Sequence, residues 1–542
     1  MEIIRGKGVC GGIAIGRLRF FEQRHRNITQ WNVADEAAEC GRFAEAHGRA
    51  IGQVALLQER ALREVGEKEA AVFEIHRMML EDEDYLDSIR NIIMTQSVNA
   101  EYAVSLTREE FARMFSEMDD PYMQGRAADV RDISDRLLDC LEGRETDLIL
   151  GHEPVVVAAK DLTPSETIQL DKSRVLAFAT CGGSGNSHTA ILARTMGLPA
   201  VVGVGDVLTE AMDAKMVIVD GFSGAVYVEP DDATVAAMRK RQDEEKARQA
   251  MLDRYKGKPN RTLDGKEILV YANIGSVSEL ELVKRYDAGG IGLFRSEFLF
   301  LDSADFPGEE VQFAAYRKVA KEMGGKRSII RTLDIGADKR IGYFNLDHEE
   351  NPALGLRGLR LCLERSDVFK TQLRALLRAS AFGNIAVMFP MVASLWEVRE
   401  AMGLVKSVQD ELRHEGRDFN GDMEIGVMIE TPAAAIISDQ LAREVDFLSI
   451  GTNDLTQYTL AVDRQNSSLD RYCDPHHDAV LRLVELIVNN AHNNEAWVGV
   501  CGELAGDLDV TKTLLRMGVD ELSVSPPKVL ELRKTICELS LA

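Results

Sequence analysis

Arginines, carboxylates and a thiol recur at one kind of position in the second half of this chain. The residues that follow successive short apolar runs include Asn273, Arg295, Arg331, Glu430, the pair Asn453-Asp454, and Cys501-Gly502-Glu503, with Arg464 slightly further on. A guanidinium forks onto phosphate or carboxylate with two parallel hydrogen bonds, so three arginines suit a polyanionic ligand. Glu430 and Asp454 suit Mg²⁺, which takes one or two carboxylates and fills its shell with water and substrate phosphate oxygens. A structural ion-pair ring would use the same residue types. Cys501, taken alone, is more often a small buried hydrophobe than an acid.

A second candidate lies in Cys181-Gly182-Gly183-Ser184-Gly185-Asn186-Ser187-His188-Thr189-Ala190. The glycine-rich turn follows a strand-like run, Val175–Phe178, and opens a helix with His188 in its first turn. Backbone N–H groups and the helix dipole stabilise anions there. A neutral imidazole at that point is a competent phosphoryl acceptor. Thr163, Ser165 and Thr167 are candidate hydrogen-bond partners, and the alternative is a histidine that only caps the helix.

The elements that must hold these groups follow from the apolar pattern. Eight runs occur after residue 267: Ile268–Tyr271, Ile291–Phe294, Ser328–Ile330, Ile385–Phe389, Ile425–Ile429, Phe447–Ile450, Trp497–Val500 and Leu522–Val524. Near-continuous apolar strands alternating with helices predict a parallel sheet covered on both faces, and eight of them predict a closed (β/α)8 barrel. Barrel enzymes keep their chemistry at the C-terminal ends of strands, where the arginines and carboxylates fall. Residues 1–22 and 147–229 read as a small α/β domain, its first strand beginning near residue 7. Into it is inserted an all-helical domain, residues 33–143, with apolar residues at i, i+3, i+4 spacing. A charged stretch without Gly or Pro, Asp231 to Tyr255, predicts a solvated linker helix within 230–258, and 259–542 form the barrel. The expected fold class is therefore multidomain α/β.

The chain has 542 residues and a formal net charge of −24, of which −12 falls in residues 31–140. Such acidity argues against a nucleic-acid ligand and against binding anionic membranes. No apolar run approaches 18 residues and no secretory segment is present, so membrane insertion is not expected. The eight cysteines are scattered without metal-ligand spacing, which predicts reduced thiols and a cytoplasmic protein.

Together the motifs resemble the enzyme I family of the phosphoenolpyruvate-dependent sugar phosphotransferase system, over essentially the whole chain. The residues that carry the resemblance are Ser187-His188-Thr189-Ala190-Ile191, Phe294-Arg295-Ser296-Glu297-Phe298-Leu299, Phe389-Pro390-Met391, Glu430-Thr431-Pro432-Ala433, Gly451 to Tyr458, Ala461-Val462-Asp463-Arg464 and Cys501-Gly502-Glu503. The resemblance implies a swivelling phosphohistidine domain and a phosphoenolpyruvate-binding barrel. It implies that His188 accepts the phosphoryl group and passes it to the phosphocarrier HPr, the first step of sugar uptake. Arg295, Arg331 and Arg464 would clamp the substrate, with Asn453, Asp454 and Arg357. Glu430 and Asp454 would hold Mg²⁺, Cys501 would protonate the enolate carbon, and Thr167 would hydrogen-bond the phosphohistidine, with Arg194 near the phosphate. It also implies a homodimer through the barrel.

Family members usually carry Gly-Gly-Arg-Thr before the Ser-His pair, where this chain has Gly183-Ser184-Gly185-Asn186. They also continue beyond the point where this chain stops. Two relatives stay open as alternatives: a regulatory paralogue feeding a non-sugar carrier, and a phosphoenolpyruvate synthase or pyruvate phosphate dikinase. HPr is expected to dock on the helical insert. There Glu74 and Glu81, Asp82, Glu83 and Asp84 cluster around Phe73, His76, Met78, Met79 and Leu80, an acidic and apolar face suited to a basic partner.

Overall fold

Strands β1 (Glu2–Arg5), β2 (Lys7–Cys10) and β3 (Ile13–Phe21) open the chain, so the first strand begins before residue 7. The structure is a computed structural model. It describes all residues except 22–27, 65–66, 119–120, 144–152, 161, 163, 171, 184–186, 302, 304, 337–341 and 345. Five helices follow: α1 (Glu36–Glu64), α2 (Glu67–Leu80), α3 (Glu83–Gln96), α4 (Ala100–Ser116) and α5 (Pro121–Glu142). Along α1, Phe43, Ala46, Ala50, Val54, Leu57 and Ala61 are buried, the three-and-four spacing that puts one stripe of a helix into a core. Arg42 of α1 forks onto Glu101 of α4, with Nη1–Oε1 at 2.8 Å and Nη2–Oε2 at 2.6 Å, and ties the two helices together.

One expectation fails on α2. Phe73, His76 and Leu80 are buried, because positions three and four apart share a face and this face packs inward. His76 Nε2 lies 3.1 Å from Asp129 Oδ1 of α5. The exposed surface here is therefore narrower than the sequence predicts. It keeps Met78 with Glu74, Glu81, Asp82, Glu83 and Asp84, while Met79 is half-buried.

The chain then returns to the sheet as β4 (Val155–Ala159), α6 (Pro164–Gln169), β5 (Val175–Thr180), α7 (His188–Met196), β6 (Ala200–Val202), β7 (Met216–Asp220) and β8 (Ala225–Val228). The sheet order is β1-β8-β7-β3-β4-β5-β6-β2. The central pairs β3–β4, β4–β5 and β5–β6 are parallel and the flanking pairs antiparallel. Helix α8 (Asp232–Asp253) follows, with Leu252 its one fully buried side chain. Its middle is tied back to the sheet: Gln242 Nε2 donates to Ile13 O (2.6 Å), and Arg241 pairs with the buried Asp220 at 2.8 Å. Two compact units result, Met1–Arg248 and Gln249–Ala542, dividing within α8.

In the second unit, β9 (Leu269–Ile274), β10 (Ile291–Arg295), β11 (Ser328–Arg331), β12 (Ile385–Phe389), β13 (Ile425–Ile429), β14 (Phe447–Ile450), β15 (Trp497–Val500) and β16 (Glu521–Val524) close into a parallel barrel. The inward-facing side chains Leu293, Ile329, Ala386, Met388, Met428, Phe447 and Cys501 fill it. Phe447 stacks on Trp497 with centroids 4.6 Å apart, in space that Gly426 leaves open. None of the eight cysteines is in a disulfide. Among the described residues no helix is long and apolar enough to cross a membrane.

Candidate active site

The strands deliver their terminal residues to one cavity of about 880 Å³ at the C-terminal end of the barrel. Arg295, Arg331, Glu430, Asn453, Asp454, Arg464 and Cys501 all line it, as does Arg357. Asn273 is placed differently from its expected position after the first strand. It lies within β9, where its Nδ2 donates to Cys501 O (2.9 Å) and Ser523 O (3.0 Å).

Arg331 ends β11 and is 7% exposed. Its Nη2 lies 2.6 Å from Glu297 and its Nη1 3.0 Å from Asp334. Burial works against the charge, but Glu297 and Asp334 more than offset it and hold the guanidinium above its ordinary pKa. Asp334 also accepts from Arg357 Nη2 at 3.2 Å. Burial opposes the Arg357 charge as well, and Asp334, followed by Asp454, carries it upward. Glu297 and Asp334 thus aim two arginines into the cavity. Sequence reasoning gave them no role, although each stands two or three residues beyond an arginine already singled out. Arg295 is exposed and makes no ion pair among the described residues.

Glu430 is 1% exposed. Its Oε1 accepts from Met391 N at 2.7 Å, and a Cβ at Gly451 would lie 2.9 Å from Oε2, so glycine leaves room at the carboxylate. Burial first, then the nearby Asp454 and Asp334 carboxylates, push the Glu430 carboxyl up to about 8. Asp454 in turn lies 3.5 Å from Arg464 Nε. Two buried carboxylates that repel one another, beside a glycine cradle, form a donor set that a small hard cation satisfies. Among the described residues no three His, Cys, Asp or Glu side chains group as a metal site. A pair is what Mg²⁺ takes when substrate oxygens complete its shell.

Cys501 follows β15, is buried, and points its Sγ toward Ile450 O at 3.7 Å. Burial first, then the Glu521 and Glu430 carboxyls, push the thiol up to about 12 against the pull of the Ser449 hydroxyl. It therefore stays a thiol at neutral pH.

His188 lies in the first unit, as the opening residue of α7. Ser187 caps this helix, its Oγ accepting from Ala190 N at 3.3 Å, and Gly197 closes it in the left-handed conformation. The turn leading in is pinned by backbone bonds from Cys181 N to Ala159 O (3.0 Å) and Gly182 N to Lys160 O (2.8 Å). Gly183, at φ +91°, adopts a conformation that favours glycine. The buried Thr189 Oγ1 beside His188 in sequence, and the buried Ser165 Oγ on α6, have no hydrogen-bond partner among the described residues. Thr167 is buried and Arg194 half-buried. The departures Ser184, Gly185 and Asn186, and Thr163, lie outside the described residues.

Three family models match in chain order: PEP-utilising enzyme, N-terminal, over residues 5–126; PEP-utilising enzyme, mobile domain, over 151–224; and PEP-utilising enzyme, PEP-binding domain, over 249–541. A phosphoenolpyruvate-protein phosphotransferase of Bacillus subtilis is 40% identical over 541 residues, covering 100% of this chain and 95% of that one. One from Haemophilus influenzae is 42% identical over 537 residues, covering 98% and 93%. With arginines and paired carboxylates at the barrel mouth and a histidine opening a Ser-capped helix in the mobile domain, this chain belongs to the phosphoenolpyruvate-protein phosphotransferase family.

Proposed function

We propose that the chain moves the phosphoryl group of phosphoenolpyruvate onto His188 and on to a histidine of HPr, releasing pyruvate, as the first step of sugar uptake. The observation that carries this reading is the convergence of Arg295, Arg331, Arg357 and Arg464 with two buried carboxylates on one cavity.

Phosphoryl transfer needs positioning and stabilisation of charge spread over the equatorial oxygens. Arg331 and Arg357, already oriented by Glu297 and Asp334, meet the phosphate or carboxylate without reorganising. Arg295 and Arg464 close the opposite sides, and Asn453 offers a further polar contact. Glu430 and Asp454 would hold Mg²⁺, which supplies Lewis-acid stabilisation of the phosphoryl oxygens. Cys501 donates its proton to the carbon of the enolate, giving pyruvate. His188 attacks from a helix N-terminus, whose dipole favours the phosphorylated form.

The docking of HPr on the helical insert, through the acidic ring around Met78, belongs to the same reading, as do a homodimer through the barrel and a cytoplasmic setting. The test is labelling with radioactive phosphoenolpyruvate and Mg²⁺, with phosphohistidine mapping and HPr or a paralogous carrier as acceptor. His188→Ala is expected to keep its fold and lose all label. Label retained at the parent level would sink the assignment, and preferential transfer to the paralogous carrier would shift the partner.

A further inference from the structure

The barrel interior holds a carboxyl that this chemistry leaves unused. Glu521 opens β16, is 1% exposed, and neither of its carboxyl oxygens has a hydrogen-bond partner among the described residues. Its place on the inner face is fixed by glycines. A Cβ on Gly499 of β15 would lie 2.1 Å from Oε2, and one on Gly292 of β10 2.5 Å from Oε1. The carboxyl therefore occupies space that two missing side chains vacate.

Register places it in relation to the thiol. Glu521 pairs with Gly499, and Gly499 with Ser449 of β14. Residues two apart on a strand share a face, so this rung lies one pleat beneath Cys501. The Ser449 hydroxyl stands beside the Cys501 thiol and is itself buried without a hydrogen-bond partner among the described residues. Strands are about 4.8 Å apart, and the carboxyl already leans over the intervening Gly499 toward the Ser449 strand.

Other groups around the carboxyl also have partners of their own. Ser523 Oγ, on the same strand, donates to Asn273 Oδ1 of β9. Arg327, before β11, donates to Glu424 Oε1 at 2.9 Å and stacks over Trp497. The Tyr271 phenol of β9 is a weak acid held neutral by burial. Burial raises the Glu521 carboxyl well above its ordinary value, against the pull of the Ser523 hydroxyl and the Arg327 charge.

We propose that Glu521 is the proton reservoir of the barrel, returning a proton by way of the Ser449 hydroxyl to the Cys501 thiolate after each turnover. This rests on the reading of Cys501 as the acid that protonates the enolate. In that step the S–H bond breaks and a C–H bond forms, leaving pyruvate and a thiolate. The Glu521 O–H bond then breaks, Ser449 accepts that proton while donating its own, and the S–H bond re-forms. Glu521 is left as a carboxylate and regains its proton from bulk water once pyruvate has gone.

The test compares first and later turnovers in the full chain with phosphoenolpyruvate, Mg²⁺ and excess HPr. Glu521→Gln should form its first equivalent of phosphohistidine and pyruvate at the parent rate. It should then turn over about tenfold or more slowly, a loss in the range of acid–base relays, with KM for phosphoenolpyruvate unchanged. Ser449→Ala should show the same split, and serves alone should the glutamine variant not fold. Parent-like later turnovers, or equal loss in first and later turnovers, would overturn the relay, the latter because it marks a structural role. Cys501→Ala separates the two ideas. Undiminished pyruvate formation there removes the reading on which the relay rests, whereas loss there with normal Glu521→Gln turnover removes the relay alone.

Discussion

At the scale of single residues, burial decides which groups carry charge and which carry protons. Arg331 is buried and stays charged because Glu297 and Asp334 grip it, while Cys501 is buried without such a partner and stays a thiol. Its thiolate fraction should therefore remain small through neutral pH and rise only in strongly alkaline solution. Iodoacetamide labelling mapped by mass spectrometry should give Cys501 a midpoint well above the ordinary thiol value of about 8.5, near 12. A midpoint at or below pH 8 would contradict the burial argument. Removing Glu297 leaves Arg331 with one partner fewer, so Glu297→Ala should raise KM for phosphoenolpyruvate by roughly ten- to a hundredfold, read in steady-state assays. The arginines and Glu430 were legible from sequence because strand ends of a barrel are a defined address. Glu297 and Asp334 were not, since an acid a few residues past an arginine resembles any surface ion pair until the fold shows both buried. Glu521 was hidden for a similar reason: Asp520-Glu521 before an apolar run reads as turn.

At the scale of elements, local periodicity carried the strands and helices but not their partners. The apolar runs of the barrel were readable because fully covered parallel strands are apolar on both faces. The first barrel strand slid, to Leu269–Ile274, because its inward face includes the polar Asn273. The order β1-β8-β7-β3-β4-β5-β6-β2 was not readable, since pairing across such separations leaves no trace in a local window. On α2 the sequence pattern showed apolar and acidic residues together, and only packing separated the core stripe from Met78. Inside the barrel the glycines are as informative as the side chains they admit. A Cβ at Gly426 would lie 2.5 Å from the Phe447 ring, which is backed by Trp497. Gly426→Ala should cost about 1–3 kcal/mol, seen as a lower denaturant midpoint for the second unit. An unchanged midpoint would mean the ring can move.

The whole molecule divides into two units, His188 in the first and the barrel cavity in the second, with their own cores. A ligand held only at the barrel mouth stabilises the unit that contains it. Phosphoenolpyruvate at a hundredfold its Kd should add about 2.7 kcal/mol to that unit. Calorimetry of His188→Ala, which is expected to bind without reacting, should show the shift in the transition of residues 249–542. A shift confined to the first unit would relocate the binding site.

The parallel pairing of β3 with β4 carries a kinetic consequence. Arg17 aligns with Val155 and Phe21 with Ala159. The chain therefore leaves the sheet at one end and re-enters beside itself at the other, with the five-helix insert as the crossover. Contacts separated by roughly 140 residues are slow to form in an unstructured chain, because the closure entropy comes due before the pairing rewards it. An insert that folds first from its own local contacts shortens that effective loop. The helical insert would then act as the sheet's folding template, and loosening α1 from α4 should slow assembly of the sheet.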